Sequence, residues 1–333
     1  MKLLTAVICC FLLTLRLNEA IACGMTPLSQ DGMDKTITTG ILQLCFAMLL
    51  VPVLDVFAKL LGRTLDPIQV TFMRFVMQIL LLTPFVIWGR LWAIPKGTFR
   101  LQFARGILLA IATACFFAAL QHLPLAEAIT IYFVQPILLT AMSTLFLGET
   151  IRLRRILAIF FGLIGVLIIL QPSLVMFGWH AALPLITALS MAGYVALTRH
   201  LAGQVHPYQM QMMVGFSATI TLGLALLIGP VFDIPWTSFS WPTNQQFLWV
   251  AYMGLAATIG HIFIVWAAAN APASVLAPFQ YMEIITATIL GYLVFKNVPA
   301  TSTIVGSAVI IGSGIYLFHR ERLDARVKAP VTP

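Results

Sequence analysis

Asp55, Arg74, His261 and Glu283 are ionisable side chains set well inside long apolar runs of this sequence. Each costs a few kcal/mol in hydrocarbon unless it faces a cavity or a partner, so each marks a place where chemistry is expected. Glu283 stands about 16 Å into its run at helical rise, near the middle of a bilayer. Gln135 stands at matching depth in a run entered from the other side. The pair is expected either to face one another across a central cavity and bind ligand, or to hydrogen-bond neighbouring helices and hold the bundle together. Asp55 and Arg74 lie at similar depth near one end of adjacent runs. An Asp55–Arg74 ion pair is expected, as a gate, an anchor for a zwitterion or a structural link. Alternatively Asp55 meets Lys59 one turn further on. His261 and Glu283 suit proton transfer, although a lone buried histidine more often only hydrogen-bonds. Tyr132, Tyr194, Trp266, Gln280 and Tyr281 offer aromatic faces and amides at membrane depth, suited to a planar ligand or to plain packing.

Several chemistries have no motif to stand on. The chain contains no GxxxxGK[ST], GxSxG or HExxH. No cofactor or metal site is expected, and an enzyme is the least favoured class. Cys9, Cys10, Cys23, Cys45 and Cys115 have neither a metal-ligand spacing nor a disulfide framework and read as packing residues.

The elements that carry these residues follow from composition. Of 333 residues, 60% are hydrophobic and only 9% charged, against roughly 25% in an ordinary soluble domain. Ten apolar stretches, at about 38–61, 68–88, 103–121, 126–147, 154–171, 181–200, 208–228, 247–269, 273–295 and 301–318, have lengths suited to crossing a bilayer. Residues 1–32 form an extension that resembles a signal or lipidation segment, or else precede a true start at Met33. Residues 322–333 form a tail. With the first span starting in the cytoplasm, 13 basic residues, Arg105 among them, fall on that side and only Lys59, Arg63 and Lys296 on the other. The positive-inside rule then puts both termini in the cytoplasm. Trp88, Trp92, Trp179, Trp236, Trp241 and Trp249 sit near span ends, as an interfacial belt requires. The basic residues lack an aromatic-interleaved face, which argues against nucleic acid and leaves lipid headgroups as their neighbours.

An internal repeat organises the spans. Asp66-Pro67-Ile68-Gln69 is echoed by His206-Pro207-Tyr208-Gln209, and Leu123-Pro124-Leu125-Ala126 by Ala271-Pro272-Ala273-Ser274. Two halves result, 33–172 and 173–321, with five spans each. Five is odd, so the second half enters the membrane inverted, the symmetry of carriers that alternate access. The expected fold is all-α, with ten transmembrane helices as two inverted five-helix repeats. Gly162, Gly165, Gly306, Gly312 and Gly314 line the fifth and tenth spans and suit close packing, between the halves or in a homodimer.

Residues 126–172 and 273–321 resemble the drug/metabolite transporter superfamily with its two EamA domains. The resemblance covers nearly all of 38–321. The family's Glu-Pro step corresponds to Gln135-Pro136 and Glu283-Ile284, and its Gly-Glu helix end to Gly148-Glu149 and Lys296-Asn297. The departures weaken any transfer of residue roles. The resemblance implies a carrier in a bacterial inner membrane, monomeric or dimeric, moving a small metabolite with protons as a coupling ion, on another gradient or by exchange. The FVQP/YMEI pair looks nearest to riboflavin and S-adenosylmethionine uptake proteins. Riboflavin uptake is the first expectation, with S-adenosylmethionine uptake or amino-acid export as alternatives.

Overall fold

The computed structural model describes residues 30–92, 94–95, 97–139, 153–201, 204–271, 276 and 279–328. The described residues form helices and turns only: α1 Gln30–Leu61, α2 Pro67–Trp88, α3 Phe99–His122, α4 Leu125–Tyr132, α5 Leu153–Phe177, α6 Leu183–Leu201, α7 Pro207–Ile228, α8 Asn244–Asn270, α9 Met282–Phe295 and α10 Thr301–Lys328. Six stretches are individually long and apolar enough to cross a bilayer; those at Leu125–Leu139, Met282–Phe295 and Thr301–Ser313 are shorter as described. The end of the bundle that carries the α1–α2 turn is here called the distal end, and the opposite one the terminal end.

Local sequence sets the helix starts. Pro67 and Pro207 each occupy the first helical turn, where a missing N–H costs nothing and a fixed φ is already helical. The residues before them, Asp66 (φ −68°, ψ 146°) and His206 (φ −65°, ψ 138°), have nearly the same extended backbone. The sequence echo between the halves is thus a shared cap geometry. At the start of α8, Thr243 and Gln246 form a reciprocal capping box.

Helix neighbours repeat under exchange of the halves. Helix α1 packs on α8 as α6 packs on α3, and α2 on α8 as α7 on α3, while α2–α7, α4–α9 and α5–α10 pair with their own counterparts. The two-fold reaches single residues. A Cβ on Gly106 of α3 would collide with Ser217 of α7, and one on Gly254 of α8 with Met77 of α2. Those four positions are related by the same offsets as the sequence echoes. Along α5–α10, Gly165 and Gly306 let the backbones touch: a Cβ on Gly165 would come within 2.8 Å of Ile310 and 3.0 Å of the Gly306 carbonyl oxygen. These glycines pack the halves together within one chain.

Large apolar side chains cover the outside of the bundle, including Leu80, Phe160, Phe161, Leu167 and Leu227. Such a surface has lipid as its natural solvent. Trp88 and Trp241, 83% exposed each, sit at helix ends, as an interfacial belt requires.

Candidate functional site

The fourth and ninth spans, expected as continuous helices, are each interrupted. Helix α4 stops at Tyr132; Phe133 and Val134 form a turn, and helical backbone resumes over 135–139. Pro136 has no N–H to donate and disfavours helical backbone in the residue before it, and the Val134 amide bonds Ile131 rather than the carbonyl four residues back. In the second half the turn falls at Tyr281, just ahead of α9, and the Ile284 amide bonds the Tyr281 carbonyl at 3.2 Å. Phe133 and Tyr281 occupy equivalent places in the repeat, and their rings touch with centroids 5.3 Å apart. The pseudo-two-fold axis therefore passes between the two breaks.

Gln135 directly follows the Phe133–Val134 turn, and Glu283 stands two residues after Tyr281. Measured along their helices from the distal end, they lie about 15 Å and about 18 Å deep, close to the midplane of a 30 Å hydrocarbon layer. Glu283 sits in the first turn of α9, where the unpaired amides of a helix N-terminus favour a carboxylate. Both side chains are buried, and among the described residues neither has a hydrogen-bond partner.

Asp55, from α1, faces the same region. It is buried, lies within electrostatic reach of Glu283 and Arg74, and makes no hydrogen bond. Tyr132 lies within reach of both carboxylates and packs edge-on against Phe116 at 6.0 Å. The expected Asp55–Arg74 ion pair is not closed: the two charges sense each other without coming into salt-bridge contact. The alternative Asp55–Lys59 contact is absent too, because the Lys59 ammonium donates to the Leu123 carbonyl oxygen at the start of the α3–α4 connection. Arg74 instead stacks over Phe75, 4.3 Å from the ring centroid, and its Nε and Nη1 have no hydrogen-bond partner.

The remaining candidates divide. His261 donates from Nδ1 to the Ala257 carbonyl at 2.8 Å and lies within electrostatic reach of Arg74, which places it at the edge of the charged group. Tyr281 is at the axis through its contact with Phe133, and Gln280 is half-buried one residue before it. Trp266 is not at the centre. It lies one turn from the terminal end of α8 and packs edge-on with Phe263 and Tyr208 at 5.3 and 6.4 Å. Tyr194 turns to a residue counted from sequence as a cytoplasmic loop charge. Arg105 is 1% exposed inside α3, its Nη2 donates to the Tyr194 hydroxyl at 3.2 Å, and its guanidinium lies 4.9 Å from that ring. The signal was present, since Arg105 falls inside the third apolar run. Glu127, buried in the first turn of α4, was likewise not singled out. Gly148-Glu149 lies outside the described residues.

The distal end is closed by the α7–α8 connection. The Ser238 amide donates to Asp66 Oδ2 at 2.9 Å, while Gln69 both donates to the Ser240 carbonyl at 2.6 Å and accepts from its amide at 3.1 Å. Gln246 Nε2 donates to Thr64 Oγ1 at 2.7 Å. Trp236 of the same connection stacks on Trp179 at 5.4 Å, Trp179 on His180 at 4.3 Å, and His180 on His122 at 3.7 Å. Trp236 of this strap packs against a small apolar cluster of Ala118, Ala119 and Leu183.

Comparison with known proteins matches the model of the EamA-like transporter family twice, over residues 38–171 and 178–319. The chain belongs to the EamA-like transporter family. It is a multi-pass membrane transporter, and its two family segments follow the two halves seen in the helix pairing. An S-adenosylmethionine uptake transporter of Rickettsia prowazekii is 24% identical over 288 residues, 86% of this chain and 95% of that protein. A pseudopaline exporter of Pseudomonas aeruginosa is 26% identical over 285 residues, 85% and 97%. A riboflavin transporter of Brucella anthropi is 24% identical over 262 residues, 77% and 89%. A protein crystal structure superimposes with a TM-score of 0.60 at 17% identity, over 88% of this chain and 99% of the other, and shares the fold. The named substrates of these relatives differ, so the family fixes transport and leaves the cargo to the site.

Proposed function

We propose that the protein is an alternating-access carrier that takes up a cationic or zwitterionic nucleoside metabolite of the S-adenosylmethionine type. The observation behind this reading is the pair of carboxylates, Asp55 and Glu283, that converge beside Tyr132 near the two-fold axis without a hydrogen bond or ion pair. Two unneutralised carboxylates at membrane depth are costly and call for a cation. A sulfonium or ammonium group of the ligand supplies it, with protons occupying the carboxylates in the empty carrier and serving as the coupling ion. Tyr132, Phe133 and Tyr281 give a purine ring aromatic faces, and the Gln135 amide reads its polar edge. The terminal end faces the cytoplasm in this reading. Taking the buried Arg105 out of the 13 basic residues assigned there leaves 12 against 3, so the asymmetry survives.

Riboflavin, the first expectation from sequence, remains the second reading. The Phe133–Tyr281 contact suits a flat tricyclic ring, but a neutral flavin leaves both carboxylates uncompensated.

Uptake of radiolabelled S-adenosylmethionine into proteoliposomes tests the proposal. Wild type accumulates label, Asp55→Asn and Glu283→Gln lose nearly all of it, and excess riboflavin does not compete. Label excluded by a correctly reconstituted wild type, or competition by riboflavin with no effect of either carboxamide variant, would overturn it.

A further inference from the structure

Arg105 raises a problem the carboxylate pair does not solve. A guanidinium keeps its charge at any physiological pH, so burial cannot be relieved by losing a proton. Here it is 1% exposed in a membrane helix, and among the described residues no carboxylate comes into salt-bridge contact with it. The Tyr194 hydroxyl takes one donor and the Tyr194 ring one face, but Nε and Nη1 are sealed and bonded to nothing. One turn earlier on α3, Gln102 donates to Thr98 Oγ1 at 2.8 Å and leaves its own Oε1 unpaired, so no neighbour on this helix turns toward the guanidinium to complete it.

Arg74 of α2 repeats the pattern. It too is 1% exposed, with Nε and Nη1 unpartnered, and it lies within electrostatic reach of the same Tyr194. The two arginines come from different helices: Arg105 touches Tyr194 of the other half, and Arg74 stacks on Phe75, which shares an apolar cluster with that tyrosine. Phe75, Leu109, Val214 and Ala218 wall the group with apolar side chains, where an uncompensated charge is most costly and an anion is held most strongly. The repeat does not demand this arrangement, since the residue equivalent to Arg74 is Val214 and that equivalent to Arg105 is Met253.

We propose that Arg74, Arg105 and Tyr194 form an oxyanion subsite that receives the carboxylate of the transported molecule, beside the acidic pair that receives its cationic group. The cargo is then a zwitterion whose opposite charges are read by different helices: α1 and α9 for the positive end, α2, α3 and α6 for the negative one. This rests on the carrier reading above and adds the requirement for a carboxylate. Four unpartnered guanidinium nitrogens offer charged N–H donors to an oxyanion.

Binding to the purified full chain in nanodiscs tests the subsite. S-adenosylmethionine and its decarboxylated analogue are compared by competition against labelled ligand. Wild type favours the carboxylate-bearing form by about tenfold, the span of a charged hydrogen-bonded contact. Arg105→Gln loses this preference and binds both forms alike. Tyr194→Phe loses part of the preference, and Arg105→Lys, which keeps the charge without the fork, recovers only part of it. Equal binding of the two forms by wild type, or an undiminished preference in Arg105→Gln, overturns the proposal. If Arg105→Gln does not fold, Tyr194→Phe carries the same reading.

Should wild type bind neither form, the cargo reading fails and the subsite is judged separately by thermal unfolding in acetate, methionine and succinate against equal concentrations of chloride. Carboxylates raising the melting temperature of wild type but not of Arg105→Gln support the subsite; the same response in both proteins overturns it.

Discussion

The two halves share a backbone but not a chemistry. Each has a proline-started second helix, a glycine that lets its third helix touch the other half, and an interrupted fourth helix whose break lies on the common axis. Charge is placed on one side of that symmetry. Asp55 and Arg74 of the first half have Val195 and Val214 as their counterparts, while the second half alone carries a carboxylate after its break, with Gln135 opposite. Even the breaks differ, since Pro136 accompanies the first and Ile284 stands in its place in the second. Pairing of helices needs only shape and small residues, which duplication preserves. A ligand with no two-fold axis needs different groups on the two sides, so function removes symmetry where it touches cargo and leaves it elsewhere.

The sharpest way to break this comparison is to make the halves alike. Glu283→Gln, which gives both breaks an amide, is expected to cut uptake by about 100-fold or more, the loss of about 2.7 kcal/mol in transition-state terms. Adding Gln135→Glu to it moves the carboxylate across the axis and should restore uptake to within about tenfold of wild type, as measured in proteoliposomes. No recovery would mean that the carboxylate's position matters beyond its depth.

The symmetric contacts should fail symmetrically. Gly106→Leu and Gly254→Leu each drive a side chain into the opposing helix, at Ser217 and Met77 respectively, and each should lower stability by about 1–3 kcal/mol. Thermal unfolding in detergent would show the two melting temperatures falling together; a drop in only one would put the two-fold in question at that contact.

A smaller effect is expected at the distal strap. Gln69→Ala removes two hydrogen bonds between a buried amide and the exposed Ser240, and should cost about 1 kcal/mol. Cysteines placed on the Asp66 turn should then react faster with a hydrophilic thiol reagent, because the strap lifts more often. The smallest effect runs the other way. Lys296 ends α9 in left-handed backbone at φ +59°, at the place where the family resemblance leads one to expect glycine. Lys296→Gly should stabilise the protein by about 0.5–1 kcal/mol, visible as a modest rise in melting temperature with uptake unchanged.

Much of the architecture was legible in the residues. Ten apolar runs, the DPIQ and HPYQ echo and an odd number of spans per half are enough for an inverted ten-helix repeat, because hydropathy and capping are local properties that survive without knowledge of neighbours. Gln135 and Glu283 could be paired by offset alone. Arg105 was missed because its place near the end of an apolar run reads equally as a snorkelling loop charge, and only the packing of α3 against α6 and α7 shows it enclosed. Trp266, in contrast, lies one turn from the terminal end of α8, packed on Phe263 and Tyr208.

Sequence alone therefore determined that this chain is a membrane protein, how many times its apolar runs suffice to cross, and that its halves are related by inversion. Tertiary structure decided which buried polar groups meet. The rotation of each helix about its own axis is set by its contacts, and a change of 100° per residue separates a side chain at the cavity from one in lipid. Asp55 without its expected ion pair, Arg105 beside Tyr194 and the ring contact across the axis all depend on that rotation, and no spacing along the chain encodes it.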